Sequence, residues 1–98
     1  MQISVEMKND SKEQKLVSLE VNLPRSLGFD KSGLKTKEVV KIGNMNPEEE
    51  KKFYFEIFPK QATEAAEYPV EIMVLEHYKD YNNVNRRQSR QITVRVDR

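Results

Sequence analysis

The sequence predicts an all-β fold, an antiparallel β-sandwich of six to seven strands in two sheets. Three observations carry that expectation. Apolar and polar residues alternate through most of the chain with the period of two that a half-buried strand requires. Gly, Pro, Asn and Asp break these runs at intervals typical of antiparallel sandwiches. No helix-leaning stretch is long enough to cross over between parallel strands.

Ile3, Val5 and Met7 alternate with Ser4 and Glu6 and define the first strand. Asn9-Asp10-Ser11 supplies turn chemistry, and the polar run Lys12 to Lys15 lets the chain reverse into a second strand with Val17, Leu19, Val21 and Leu23 on one face. These two strands read as a hairpin. Pro24 lacks an amide donor and ends the second strand. Arg25 to Gly33 reads as a crossing loop whose Leu27 and Phe29 plug the core, with room for a seventh short strand between Leu27 and Leu34. The third strand runs from Thr36 to Ile42, with Val40 and Ile42 inward and Val39 outward, and Gly43-Asn44 marks its end. Asn46, Pro47 and the following glutamates suit the start of a helical turn.

The fourth strand covers Lys52 to Phe58, with Phe53, Phe55 and Ile57 inward, and Pro59 closes it. Gln61 to Glu67 has helix-forming composition but reads as a turn or a single helical turn, because helices so short are marginal alone. The longest period-two run follows, with Tyr68, Val70, Ile72 and Val74 inward. Lys79 to Asn85 forms a hairpin loop, and the last strand runs from Arg87 to Val96 with Ile92, Val94 and Val96 inward. Strands one, two and four are expected in one sheet and three, five and six in the other.

At 98 residues the chain is read as one domain with one modest core. Charged residues make up 34%, yet aromatic and β-branched residues are too frequent for disorder. A formal charge of +1 creates no field towards nucleic acid or an anionic membrane, so neither is expected as a partner. The absence of cysteine removes disulfides, thiolate chemistry and cysteine zinc sites. No stretch has the length and apolarity of a signal core or a membrane span.

No catalytic residue, cofactor or metal site is expected. His77 is the only histidine, which leaves no second imidazole for a metal or catalytic pair, and it reads as a surface residue. Ser89 and Thr93 lack a nearby base that would activate a hydroxyl. Glu48-Glu49-Glu50 reads as a solvated turn rather than a glycosidase pair. Asp80-x-Asn82 opens like a calcium loop, but Val84 and Gln91 stand where later ligands are required.

Two surfaces invite a partner. Met73 and Leu75 share the outer face of the fifth strand with His77, and Val39 is expected on a neighbouring strand, forming with Tyr78 and Tyr81 a candidate contact surface unless a loop folds over it. Arg86, Arg87, Arg90, Arg95 and Arg98 gather near the end of the chain. They read first as edge protection and alternatively as an anion contact, with Arg87 and Arg95 on one strand face. Exposed edges and sheet faces also offer routes to self-association.

Ala66-x-Tyr68-x-Val70 resembles the tyrosine corner of immunoglobulin-type domains, with Val70 where those domains carry a cysteine. A plain core tyrosine is the alternative reading. The runs Val21-Asn22-Leu23-Pro24 with Leu27-Gly28-Phe29, Ile42-Gly43-Asn44-Met45-Asn46-Pro47-Glu48-Glu49, and Tyr68-Pro69-Val70 through Tyr78-Lys79-Asp80 resemble immunoglobulin-like modules of the CARDB and S-layer-associated type. Met45, Glu48 and the glycine-free Asp80 hairpin depart from that pattern. The resemblance implies a non-catalytic adhesion, spacer or docking module, part of a larger prokaryotic surface or exported protein, that meets protein or glycan. A freestanding cytosolic interaction domain, which Met1 and the lack of a signal suit, and a carbohydrate-binding accessory domain are the alternatives.

Overall fold

The computed structural model describes residues 1–60 and 64–96. Its eight strands are β1 (Gln2–Lys8), β2 (Lys15–Asn22), β3 (Leu27–Gly28), β4 (Lys37–Met45), β5 (Glu50–Glu56), β6 (Phe58–Pro59), β7 (Ala66–His77) and β8 (Val84–Val96). All pairing is antiparallel. A four-stranded sheet has the order β4-β2-β7-β8, a two-stranded sheet joins β1 and β5, and a two-residue ladder pairs β3 with β6. The result is an immunoglobulin-like antiparallel β-sandwich of unequal layers.

The inward residues fall where the period-two pattern places them. Leu19, Val21, Val70, Leu27 and Ile57 are fully buried, joined by Val5, Phe55, Val94 and Val96, with Ile3, Met7, Val40, Ile42, Phe53, Ile72, Val74 and Ile92 packed around them. The Tyr68 hydroxyl donates 2.7 Å to the Glu64 carbonyl, four residues upstream, while Val70 behind it is inaccessible to solvent. That is the geometry of a tyrosine corner. The expected seventh strand is β3. Gly28 within it cannot carry a side chain, since a Cβ would lie 2.7 Å from the Gly33 Cα.

Several local expectations are corrected. β1 and β2 do not form a hairpin, and β2 lies in the large sheet between β4 and β7, not beside β1 and β5. The reason is Asn9, a buried amide between the two strands. Its Nδ2 donates to the Glu13 carbonyl at 2.8 Å and to the Met45 carbonyl at 2.9 Å, and its Oδ1 accepts from the Ser11 amide and hydroxyl. The backbone of Asn9 bonds to Glu49 and Glu48. One residue therefore ties the end of β1 to the end of β4, and the chain changes layers there instead of folding back in plane.

The third strand continues past Gly43 to Met45 by means of a bulge. Val17 pairs with Gly43 and Ser18 with Lys41, so Ile42 is the extra residue, and Gly43 takes a φ of +91° that side chains resist. No helical turn forms at Asn46-Pro47. Glu48 adopts a φ of +64° and the Glu49 amide donates back to the Asn46 carbonyl, making a tight turn into β5. The fourth strand stops at Glu56, and Pro59 instead ends the two-residue β6, where it pairs with Leu27. Gln61, Ala62 and Thr63 of the expected turn lie outside the described residues, and Ala66 and Glu67 already belong to β7. The last strand begins at Val84, three residues earlier than expected.

Replacing Asn9 by alanine leaves the buried Met45 carbonyl without its donor and opens a polar gap between the layers. Each buried group left unpaired costs about 1–3 kcal/mol, a large fraction of a small domain's stability. Asn9→Ala is expected to lower the urea midpoint markedly with little change in slope. The substitution Asp10→Asn, at the exposed position next in the chain, serves as the near-neutral comparison.

Candidate functional site

The outer face of the large sheet is organised in rows across four strands. One row reads Val39, Glu20, Met73 and Ser89, the next Lys41, Ser18, Leu75 and Arg87, and a third Lys37, Asn22, Glu71 and Gln91. Val39 is 50% exposed, whereas Met73 and Leu75 are half-buried. Val39 and Met73 share the sheet but are not on neighbouring strands, because β2 runs between them. Glu20 occupies that gap, paired with Lys37 at 2.9 Å and accepting from Asn22 at 3.2 Å. The apolar surface expected here is thus divided by a polar network.

His77 is not a free surface residue. Its Nε2 shares a hydrogen bond of 2.7 Å with Ser18 Oγ, its Nδ1 is buried without a partner among the described residues, and the Tyr81 ring meets it edge-on at 5.1 Å. Lys41 Nζ lies 5.3 Å from the centre of the Tyr81 ring. The β7-β8 turn therefore folds back over the sheet end, as the alternative reading of this surface anticipated. Ser18 and His77 have the composition of a nucleophile and its base, but Ser18 is 5% exposed and Glu76 lines the opposite side of β7, leaving the imidazole without an orienting carboxylate from its neighbour.

The aromatic rings do not form one platform. Tyr54 is 58% exposed on the small sheet with Lys52 beside its ring, Tyr78 is 61% exposed at the turn, and Tyr81 is half-buried on the large sheet. The Asp80 carboxylate accepts from the Asn82 amide at 2.9 Å and the Asn83 side chain at 3.0 Å, so its loop's own donors occupy it. Glu48 pairs with Lys8, and Glu49 with Lys51 and the Asn46 amide. Among the described residues no three acidic, histidine or cysteine side chains converge as metal ligands, and no helix is long and apolar enough to cross a membrane.

The arginines split between two faces of β8. Arg87 and Arg95 share the outer face, while Arg86 and Arg90 have the same parity as Ile92, Val94 and Val96 and so project inward; Arg98 lies outside the described residues. The inward pair is uncovered because the small sheet is too narrow to reach β8. Between β1 and the β7-β8 ribbon runs an open groove of about 400 Å³ whose floor includes Ile72, Val74, Gln88, Arg90 and Ile92, with Met7 on its wall. It continues past Asp10 and Glu76 to Arg86.

Along this groove the backbone of β1 has a side that no strand among the described residues pairs. Met1 and Ile57 exchange reciprocal hydrogen bonds of 2.9 and 2.7 Å, and the Asn9 amide donates to Glu49 at 3.0 Å. Antiparallel ladders alternate bonded and non-bonded pairs. The odd-numbered residues of β1 therefore turn their N–H and C=O groups to β5, and Gln2, Ser4, Glu6 and Lys8 turn theirs to the open edge. The parity of Arg86, Gln88 and Arg90 with the core residues of β8 was readable from sequence; the exposed edge of β1 was not, because it depends on which strand lies beside it. Compared with protein-family models, curated proteins and solved structures, the chain matches none.

Glu20 supplies a pH-dependent contribution. The hydrogen bond from Lys37 foremost, then that from Asn22, holds its carboxyl below the ordinary value of 4.5 despite partial burial. A carboxyl depressed in the folded state stabilises above its unfolded pKa, and that contribution fades as pH falls through the lower folded value. Acid unfolding of Glu20→Gln is expected to lose stability less steeply below pH 4.5 than the parent chain. Identical dependence of the urea midpoint on pH in the two chains would show the pair to be inert.

Proposed function

We propose that the protein is a non-catalytic binding and docking module, of the immunoglobulin-like type repeated in prokaryotic surface and exported proteins, and that it recognises protein rather than glycan. One observation carries this reading: among the described residues Ser18, His77, Glu48, Glu49 and Asp80 are buried or paired, while an open strand edge with a half-apolar floor is left uncovered. Bond-making chemistry requires an accessible nucleophile or acid-base pair held in position. A sheet edge requires only another backbone.

The resemblance of the Leu27-Gly28, Ile42-Gly43 and Tyr68-Val70 segments to surface modules supports placement in a larger exported protein. In this fold these residues serve the β3 close approach, the β4 bulge and the tyrosine corner. They speak for architecture, and a cytosolic setting would use the same surface. The glycan alternative is disfavoured by Tyr54 and Tyr81 lying on opposite sheets, since carbohydrate platforms align rings on one face.

Selection from a displayed library of random peptides, run beside a glycan array, tests the reading. Proline-poor extended peptides are expected to be enriched, with no selective glycan signal. Selective glycan binding abolished by Tyr54→Ala or Tyr78→Ala would establish the carbohydrate-binding alternative instead.

A further inference from the structure

The large sheet has four strands and the small sheet two, so the inner face of β8 extends beyond anything among the described residues that covers it. β4, β5 and β8 also end in open edges, but the groove floored by core-facing residues runs along β1. A strand laid beside β1 would accept and donate hydrogen bonds to Gln2, Ser4, Glu6 and Lys8. Its inward side chains would stand above β8, continuing the small sheet by the width of one strand, about 4.8 Å.

The floor specifies what those inward side chains must be. Ile72 lies directly opposite Arg90 across the β7-β8 ladder; on either side of that row, Ile92 forms one apolar step and Val74 with Met7 another. Between them stands Arg90, which has no carboxylate within ion-pair distance among the described residues. Of the other charges lining the groove, Glu6 pairs with Lys52 at 3.3 Å and Lys8 with Glu48 at 3.1 Å, while Asp10, beyond the end of β1, makes no ion pair among the described residues. At the far end Arg86 shares its part of the groove with Asp10 and Glu76, though no ion pair forms there among the described residues. Covering Arg90 with an apolar strand would bury an unpaired guanidinium, which is strongly unfavourable, whereas a carboxylate can meet it with two parallel hydrogen bonds.

Resting on the binding-module reading above, we infer that the β1 edge accepts an extended strand from another polypeptide, with apolar inward residues flanking one carboxylate that pairs with Arg90. A second copy of the chain that pairs through its own β1 fits less well. Its own β1 carries Ile3, Val5 and Met7 inward, with no acid among them to meet Arg90.

The test uses the full ¹⁵N-labelled chain and synthetic peptides of about nine residues, the length of a typical long strand. Outward positions are threonine; inward positions are valine, with glutamate at the centre of one peptide and lysine at the centre of its control. The glutamate peptide is expected to bind at least about tenfold more tightly than the lysine peptide, a difference of about 1.4 kcal/mol. It should perturb the amides of Gln2, Ser4, Glu6 and Lys8 more than those of Ile3, Val5 and Met7. Arg90→Glu, at an exposed position, should reverse the preference between the two peptides. Perturbation centred on Met73 and Leu75 would overturn the groove assignment while leaving a binding module. Perturbation of β1 that grows with protein concentration alone would overturn it in favour of a second copy. Binding of neither peptide would also overturn the inference, while ligands from the library selection would still uphold the module reading.

Discussion

The layer change at Asn9 is the constraint on which the rest of the sandwich depends. A polar side chain at the end of an edge strand is ordinarily solvated. Here it is 8% exposed and fully hydrogen-bonded, to β4 through Met45 and to the turn through Ser11 and Glu13. These bonds carry the chain out of the small sheet before β2 begins. β2 then becomes a central strand, flanked by β4 and β7, and among the described residues β1 is left with β5 as its one neighbour. The inequality of the sheets and the open edge both follow from that exchange.

What the sequence made legible was the face of each strand. Period-two alternation assigns Val5, Leu19, Phe55, Val70 and Val94 to the interior, because burying one face is a local requirement written into each segment. Partnership between strands is different. β1 meets β5 although β2, β3 and β4 intervene along the chain, and nothing in either segment excludes the nearer β2. The polar run after Asn9 has the composition of a hairpin turn, and its actual role depends on a carbonyl at Met45. The Ser18-His77 pair was hidden for the same reason, since it joins residues far apart in sequence on adjacent strands.

The functional surfaces divide along similar lines. Met73, Leu75 and His77 do lie on the outer face, but their accessibility was set by Glu20 and the Tyr81 turn, which come from other parts of the chain. The arginines near the end looked like one basic patch. Strand alternation sends Arg87 and Arg95 to one face and Arg86 and Arg90 to the other, and the second pair shares its face with core valines. An arginine in line with a core stripe is costly if the opposite layer covers it. Its presence at Arg90 is compatible with the fold because the small sheet stops short.

An uncovered strand edge is a hazard in an isolated domain, and proteins commonly blunt such edges with charge. Glu6 and Lys8 serve that purpose on the outer side of β1 without closing the groove. The most direct measurement of the central claim is hydrogen exchange in the free protein, residue by residue along β1. Slow exchange at Ile3, Val5 and Met7 alternating with fast exchange at Ser4, Glu6 and Lys8 is the predicted result. Uniform protection along β1 in the dilute monomer would mean that both sides are paired, and would contradict the account.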